Sequence, residues 1–333
     1  MTGALTWARL SFAQQRWEIL ILASGVAVAV GLMGWMTSQL LGVSTANPAC
    51  DFFLNEDQAA LPAGCEQASQ AFYGLYSNAE IFLRNGWLFG FVVGLVVGIP
   101  LVARDIEQGT AQMAWTLVPS RTQWLLRRLA FGVLVTVVLL TGLAVMTDVL
   151  GAAMQPNADV SRSFHFEGNR GVIIVARGIL GVGVGVLIGA MLGRQLPALL
   201  LGLVVIGLLY GAVTVAMGRW NEAEAVEAWY DQDLGAPLFV GNGIRLASGQ
   251  RLSMEEFYGG GLSSEMFQGD DGQLYANAAD AQAARDPIGQ EYILIIPGER
   301  YPEIMARASL VTAGAGVLLM AAAAFVTSRR RPT

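Results

Sequence analysis

The chain has 333 residues, 54% of them hydrophobic and 14% charged, with a mean hydropathy of +0.50 and a net charge of −6. A typical soluble domain carries about 25% charged residues, so this chain lacks the polar side chains to cover a surface in water. All 20 basic residues are arginine, which excludes a P-loop lysine and lysine nucleophiles. The one histidine, His165, excludes an HExxH zinc site. We therefore predict an integral membrane protein that is not an enzyme and holds no cofactor or metal.

Six stretches are long and apolar enough to cross a bilayer, which takes about 20 residues per helix. They are Ile19–Val43, Gly86–Ala103, Leu129–Met154, Gly171–Leu192, Leu196–Met217 and Ala308–Ser328. The second is the shortest, and we expect it to gain a turn from its flanks. The predicted fold class is an all-α integral membrane protein with six transmembrane helices, an N-terminal interfacial helix and a large outer loop between helices five and six.

The placement of arginine predicts the orientation, because cytosolic segments of membrane proteins are enriched in basic residues. With the N-terminus in the cytosol, four segments lie inside: 1–18, 104–128, 193–195 and 329–333. These segments hold ten arginines and three acids, whereas the outer loop 218–306 holds fifteen acids and five arginines. We therefore predict that both termini are cytosolic.

The predicted organisation has four parts. Residues 1–18 form an interfacial elbow helix, and residues 19–217 hold spans one to five with the cytosolic loop 104–128. Residues 218–306 form an extracytoplasmic loop, and 307–333 hold span six and an arginine-rich tail.

Two short patterns predict structure within the last outer loop. A capping-box pattern from Ser253 to Glu256 predicts a helix. The segment Tyr292–Pro297 predicts either a strand or a shallow re-entrant piece that leads into span six.

Cys50 and Cys65 both lie in the first outer loop, 44–85, on the oxidising side in this orientation. An even pair at such an address favours a disulfide, which would contribute about 3 kcal/mol for a loop of about 16 residues. Two unrelated thiols are the alternative. A metal site is less favoured, because this loop contains no histidine to complete it.

Glycines recur every four residues along two of the spans, which places each set on one helix face where another backbone can approach. The sets are Gly86, Gly90, Gly94 and Gly98 in span two, and Gly181, Gly185, Gly189 and Gly193 at span four. One interpretation is packing between helices of the same chain. The other is a seam between two protomers or a deformable translocation path.

Arg177 in span four and Asp148 in span three lie at similar depth. Ionisable groups inside a membrane are costly and usually face protein or water. We predict an ion pair between these two residues. Contact between Arg177 and a passing substrate is the alternative.

The cytosolic loop between spans two and three contains the most informative pattern. Gly109 breaks the extension of span two, Thr110 is a suitable N-cap for a short helix over Ala111–Val118, and Pro119 ends that helix. A capping box that begins at Ser120 opens the helix of span three. The short helix carries Met113, Trp115, Leu117 and Val118. An exposed helix with this much apolar surface is expected to be buried against either lipid headgroups or a partner protein.

This loop resembles the intracellular loop of permease subunits of type 2 ABC transporters, especially their actinobacterial branch. The matching residues are Pro100, Leu101, Val102, Ala103, Arg104, Glu107, Gly109, Thr110, Trp115, Thr116, Ser120, Arg121 and Trp124, with Asp105 in place of the usual glutamate. The likeness extends to Gly193, Arg194 and Pro197, to the two cysteines, and to Pro297, Arg300 and Tyr301.

The resemblance implies that the loop forms a coupling helix, which docks on a cytosolic ABC ATPase subunit. The implied ATPase-coupling residues are Asp105, Glu107, Gly109, Thr110, Trp115, Pro119, Arg121 and Trp124. The resemblance further implies the permease subunit of an ATP-driven exporter in a bacterial plasma membrane. Its partners would be two ATPase subunits that bind ATP and Mg, a second permease copy and membrane lipid, with no nucleic acid.

Alternatives remain for the loop and for the whole chain. Asp105 and Glu107 are otherwise helix-end charges paired with Arg104 or Arg121, in a loop that faces lipid. The large acidic outer loop favours a second function, in which a non-transporting membrane partner of an ATPase acts at the outer face in resistance, sensing or assembly. The spans contain no catalytic constellation that favours an intramembrane enzyme.

The charge asymmetry predicts the accessibility of single cysteines in intact cells. A membrane-impermeant thiol reagent should label Glu265→Cys, in the acidic outer loop, and should not label Arg330→Cys, in the arginine-rich tail. The reverse pattern would contradict the orientation.

Overall fold

The structure is a computed structural model, and it describes residues 2–50, 52, 64–116, 120–156, 158–229, 236–246, 251–253 and 289–329. The chain forms two compact units. The first is Met1–Val213 with Tyr301–Thr333, and the second is Thr214–Arg300.

The helices are α1 (Thr2–Ala46), α2 (Cys65–Asn85), α3 (Trp87–Gly98), α4 (Ala103–Glu107), α5 (Thr110–Thr116), α6 (Arg121–Met154), α7 (Val172–Leu192), α8 (Gln195–Glu224) and α9 (Tyr301–Arg329). Six helical segments of the described chain are long and apolar enough to cross a membrane, and they coincide with the six predicted spans. The protein is therefore a multi-pass membrane protein whose membrane part is helical, as predicted.

Two of the spanning segments differ from the prediction at their ends. The predicted interfacial helix 1–18 is not a separate element, because α1 is a single 45-residue helix. No glycine or proline lies between Ala4 and Ser24 to interrupt it. The second span is lengthened by α2, which is separated from α3 only at Gly86. The buried residues of α2 fall on one helical face, so this helix is amphipathic.

Cys50 and Cys65 are bonded to each other, with their Cα atoms 5.5 Å apart. Cys65 is the first residue of α2, and Cys50 follows closely after the end of α1. The ring of Phe52 stacks on that of Phe72 at 4.5 Å between centroids. The disulfide and this aromatic contact therefore hold the start of α2 against the chain that leaves α1.

Helix α7 is the most buried of the six spanning helices and packs against α3, α6 and α9. Its contact with α3 is made by backbone. A Cβ atom added to Gly94 would lie 2.2 Å from the carbonyl oxygen of Gly178 and 2.9 Å from Cα of Gly181. A Cβ at Gly90 or Gly98 would also lie within 3 Å of the α7 backbone. The glycine face of α3 thus packs within the chain, which confirms the first of the two interpretations.

The second unit contains a four-stranded antiparallel sheet with the order β1-β4-β2-β3. Its strands are β1 (Val226–Ala228), β2 (Leu238–Leu246), β3 (Arg251–Ser253) and β4 (Gly289–Ile296). Strand β4 decides the prediction for Tyr292–Pro297 in favour of a strand. The helix predicted from Ser253 to Glu256 lies outside the described residues except for Ser253, which ends β3.

Charged residues of the sheet form a small cluster. The carboxylate of Glu227 on β1 forms salt bridges with Arg245 on β2 and with Arg251 on β3, the latter at 2.5 Å. The segment predicted as an outer loop is therefore partly a folded unit with its own sheet.

The α3–α7 contact generates a stability prediction. Gly94→Ala should destabilise the purified protein by about 1–3 kcal/mol, because overpacking must push the two helices apart. The matched control is Gly142→Ala on α6, where an added Cβ meets nothing within 4 Å. The thermal unfolding midpoint in detergent is the measurement. Equal midpoints for the two variants would contradict the close contact.

Candidate functional site

Helices α4 and α5 form a short corner that joins the second and third spans. The φ angle of Gly109 is +70°, a left-handed conformation that glycine adopts readily and that ends α4. Thr110 begins α5, and its hydroxyl donates a hydrogen bond to the carbonyl oxygen of Asp105 at 3.4 Å. Ser120 caps α6, since its hydroxyl oxygen accepts from the backbone N–H of Gln123 at 3.1 Å. The predicted break at Gly109 and the N-cap at Ser120 are therefore confirmed, whereas Thr110 is the first residue of α5 and does not cap it as predicted.

A buried ion pair holds this corner against α6. Asp105 is 5% exposed, and its carboxylate lies 2.6 Å from the guanidinium of Arg128. The same guanidinium donates to the carbonyl oxygen of Leu101 at 3.0 Å and lies 4.7 Å from the ring centroid of Trp124. Removal of one partner from such a pair leaves an uncompensated buried charge, at a cost of about 3–5 kcal/mol.

Two further contacts link the corner to α8 and α1. The Glu107 carboxylate accepts from the backbone N–H of Gln195, the first residue of α8, at 3.1 Å. A carboxylate at a helix N-terminus accepts a hydrogen bond from an otherwise unpaired backbone N–H and interacts favourably with the positive end of the helix dipole. Arg104 forms a salt bridge with Glu18 of α1 at 3.0 Å. The predicted alternative pairing of Asp105 and Glu107 with Arg104 or Arg121 is thus wrong, since both carboxylates reach other helices.

The tryptophans of this segment pack on each other. Trp124 is fully buried, and its ring meets that of Trp115 edge to face at 6.2 Å between centroids. The guanidinium of Arg121 lies 4.6 Å from the ring centroid of Trp115. Trp115 is therefore half-buried within its own chain, whereas Met113, on the same short helix, is 72% exposed.

The structure brings most of the predicted coupling residues together. Asp105, Thr110, Trp115, Arg121 and Trp124 surround one corner, and Gly109 makes its turn. Glu107 adjoins it at the start of α8. Pro119 lies outside the described residues.

Sequence reasoning misses Arg128, Glu18 and Gln195 as partners in this corner. An arginine at the start of a span is explained by the charge rule alone. Arg128 does follow Trp124 by four residues, which places both side chains on one face of α6 and is the available signal.

The family model described as ABC-2 membrane transporter related matches residues 19–218, which is more than half of the chain. The chain belongs to this ABC-2 family. No curated protein and no solved structure matches the sequence. The match covers the first five spans and the whole α4–α5 corner. The protein is thus an ABC-2 type permease.

A second group of charged residues in this ABC-2 permease lies at the start of α7. The predicted pair between Asp148 and Arg177 is wrong, because Asp148 lies 3.5 Å from the guanidinium of Arg170. Arg170 is 3% exposed and donates to the carbonyl oxygens of His165 at 3.1 Å, of Val160 at 2.7 Å, and of Ser163. Its guanidinium therefore anchors the connection between α6 and α7.

Burial shifts the titration of two groups in that connection. The Nε2 atom of His165 lies 2.7 Å from the hydroxyl of Tyr76, and burial lowers the pKa of the imidazole. Burial raises the pKa of the Glu167 carboxyl to about 7. This carboxyl therefore favours folding below its unfolded pKa of about 4.5, and that contribution is lost as the pH rises through about 7. Among the described residues, no group of three or more His, Cys, Asp or Glu side chains is placed to hold a metal ion.

Arg177 lies near this group, since a Cβ atom added to Gly168 would be 3.3 Å from its Nη2 atom, but among the described residues it forms no ion pair. It is 5% exposed, and its guanidinium lies 5.2 Å from the ring centroid of Tyr210 and 5.7 Å from that of Phe91. Within the described part of the chain, its Nη1 atom has no hydrogen-bond partner.

The Asp105–Arg128 pair predicts non-additive losses of stability. Asp105→Leu and Arg128→Met should each lower the unfolding free energy by about 3–5 kcal/mol, because each leaves a buried charge without its partner. The double variant should lose less than the sum of the two. Thermal unfolding in detergent measures all three variants, with Arg127→Met, an exposed neighbour, as the control. Additive losses would contradict the pair.

Proposed function

We propose that this ABC-2 permease is the membrane-spanning subunit of an ATP-driven exporter. Two copies would work with two cytosolic ABC ATPase subunits, each of which binds the α4–α5 corner of one permease. Nucleotide binding would bring the two ATPases together and displace both corners. The permease itself would carry out no covalent chemistry, and ATP and Mg would be bound by the partner subunits.

The observation that carries this proposal is an exposed apolar side chain on a corner that contacts three spanning helices. Met113 presents its side chain at the surface of α5, where a partner can cover it. On the adjoining helix α4, Asp105 contacts α6, Glu107 contacts α8 and Arg104 contacts α1. A push on α5 would therefore be transmitted to three spanning helices through ionic and hydrogen-bonded contacts.

The same contacts assign separate roles to the predicted coupling residues. Trp115, Trp124 and Arg121 would make the corner stiff, because they pack on one another. Gly109 would set the direction of α5 relative to α4. Met113 would supply the apolar contact with the ATPase.

The orientation and location form part of this proposal. The arginine-rich segments favour both termini in the cytosol and the second unit, Thr214–Arg300, outside the cell. The loop motif favours a bacterial plasma membrane and the actinobacterial branch of the family.

The folded second unit favours one alternative function. A sheet with its own buried apolar residues is a domain that can bind a target, as expected of a non-transporting ATPase partner that acts at the outer face. Movement of a substrate into sealed inverted vesicles that depends on ATP would favour the exporter. ATPase activity without any such movement would favour the alternative.

Met113→Glu tests the coupling surface. A charged side chain at the centre of an apolar contact should reduce co-purification of the co-expressed cognate ATPase about tenfold or more. The permease should fold normally, because Met113 has little packing within its own chain. The control is Thr122→Glu, an exposed site in the first turn of α6 where an acid is tolerated. Wild-type yield of the ATPase with Met113→Glu would place the coupling surface elsewhere.

A further inference from the structure

Among the described residues, Arg177 differs from the other buried arginines of the bundle because no carboxylate pairs with its charge. Arg128 and Arg170 each combine a carboxylate with at least one carbonyl oxygen. Arg177 is as buried as they are, yet no carboxylate in the described residues forms a salt bridge with it, and its buried Nη1 atom has no acceptor there. An uncompensated cation in a membrane span is costly, so such a residue usually has a partner or a function.

Aromatic rings compensate part of this charge. The guanidinium lies beside Phe91 of α3 and Tyr210 of α8, at distances within the range of cation–π attraction. Trp87 stacks on Tyr210 at 4.9 Å between ring centroids. Ring faces attract the positive charge but do not replace the oxygen acceptors that the planar N–H groups of arginine bind in pairs.

The surroundings indicate how an acceptor could arrive. Arg177 lies five residues from the start of α7, or about 7–8 Å along the helix, which is close to one end of the span. Trp87 and Tyr210 are half-exposed and stack on each other, and the ring of Tyr210 adjoins the guanidinium of Arg177. Helix α8, which carries Tyr210, is one of the two least buried spanning helices. A ligand can therefore reach Arg177 between α3 and α8 by displacement of one aromatic pair.

We propose that Arg177 binds the phosphate or carboxylate group of an amphiphile, with Trp87, Phe91 and Tyr210 around the headgroup and the apolar tail along α3 and α8. The depth of Arg177 suits a group at the boundary between headgroups and hydrocarbon. The same chemistry fits a transported anionic amphiphile and a resident anionic phospholipid. The identification with a cargo rests on the proposed function, whereas the anion site itself does not.

Binding is measured on the purified permease alone, in a neutral maltoside detergent. Dodecyl phosphate should bind saturably and change tryptophan fluorescence, whereas dodecyltrimethylammonium, of equal chain length, should not. Arg177→Met should weaken the binding of dodecyl phosphate about tenfold or more, because charge-assisted hydrogen bonds are lost. Arg84→Met, which removes an exposed charge one turn before Trp87, should bind as the wild type does. Equal binding by the wild type and Arg177→Met would overturn the proposal.

Stability separates a ligand site from a purely structural arginine. Without dodecyl phosphate, Arg177→Met should retain the wild-type unfolding midpoint, because its removal leaves no carboxylate unpaired. If Arg177→Met does not fold, binding is measured on Arg177→Lys. This variant keeps the positive charge beside the rings but loses the planar guanidinium and its paired N–H donors. Binding of dodecyl phosphate that is several-fold weaker in Arg177→Lys supports the site, and unchanged binding overturns it.

Two further measurements distinguish the sources of the anion. Native mass spectrometry that finds one phosphatidylglycerol on the wild type and none on Arg177→Met identifies a resident lipid. Stimulation of ATP hydrolysis by dodecyl phosphate in the reconstituted complex, lost in Arg177→Met, identifies a transported amphiphile. Both results support the anion site. Failure of the wild-type permease to co-purify with an ATPase would refute the proposed function. It would not affect the binding measurement, which uses the permease alone.

Discussion

The backbone contact between α3 and α7 is the constraint on which the rest of the membrane unit depends. Gly94 lies against Gly178 and Gly181 so closely that no side chain fits between the two helices. This contact places α7 at the centre of the bundle, where α6 and α9 also pack on it. Because α3 carries Phe91 and α7 carries Arg177, the same contact holds the ring beside the guanidinium. It also fixes the position of the last turn of α3, and the α4–α5 corner follows that turn.

The buried arginines of the described chain have two kinds of surroundings. At the corner, Arg128 combines a carboxylate, a carbonyl oxygen and the face of an indole ring, so its charge contributes to structure. Arg170 likewise gathers the backbone of the connection between α6 and α7. Arg177 has aromatic neighbours and no acceptor within the described chain. An arginine whose N–H groups all have acceptors rigidifies its surroundings. An arginine whose N–H groups lack acceptors retains the capacity to bind an anion.

The corner and Arg177 lie toward opposite ends of α7, because Glu107 meets Gln195 just beyond the last residue of that helix. Helix α8 takes part in both places, since Gln195 begins it and Tyr210 lies about four turns further along. In the proposed exporter, a displacement of the corner would therefore move the helix that covers Arg177. Under that proposal, the connection would relate energy input at one end of the bundle to ligand access at the other without a separate relay.

The sequence by itself determined the six spans, the helix break at Gly109 and the N-cap at Ser120, because hydropathy and local backbone chemistry decide such features. It also predicted the corner as the coupling segment, from a loop motif. Only the tertiary structure decided that Asp148 meets Arg170 and that Glu107 caps α8. Each residue rotates the side-chain direction by about 100° around a helix axis, so residues at equal depth need not face each other. Depth can therefore be calculated from the sequence, but the choice of partner depends on how the helices are rotated when they pack.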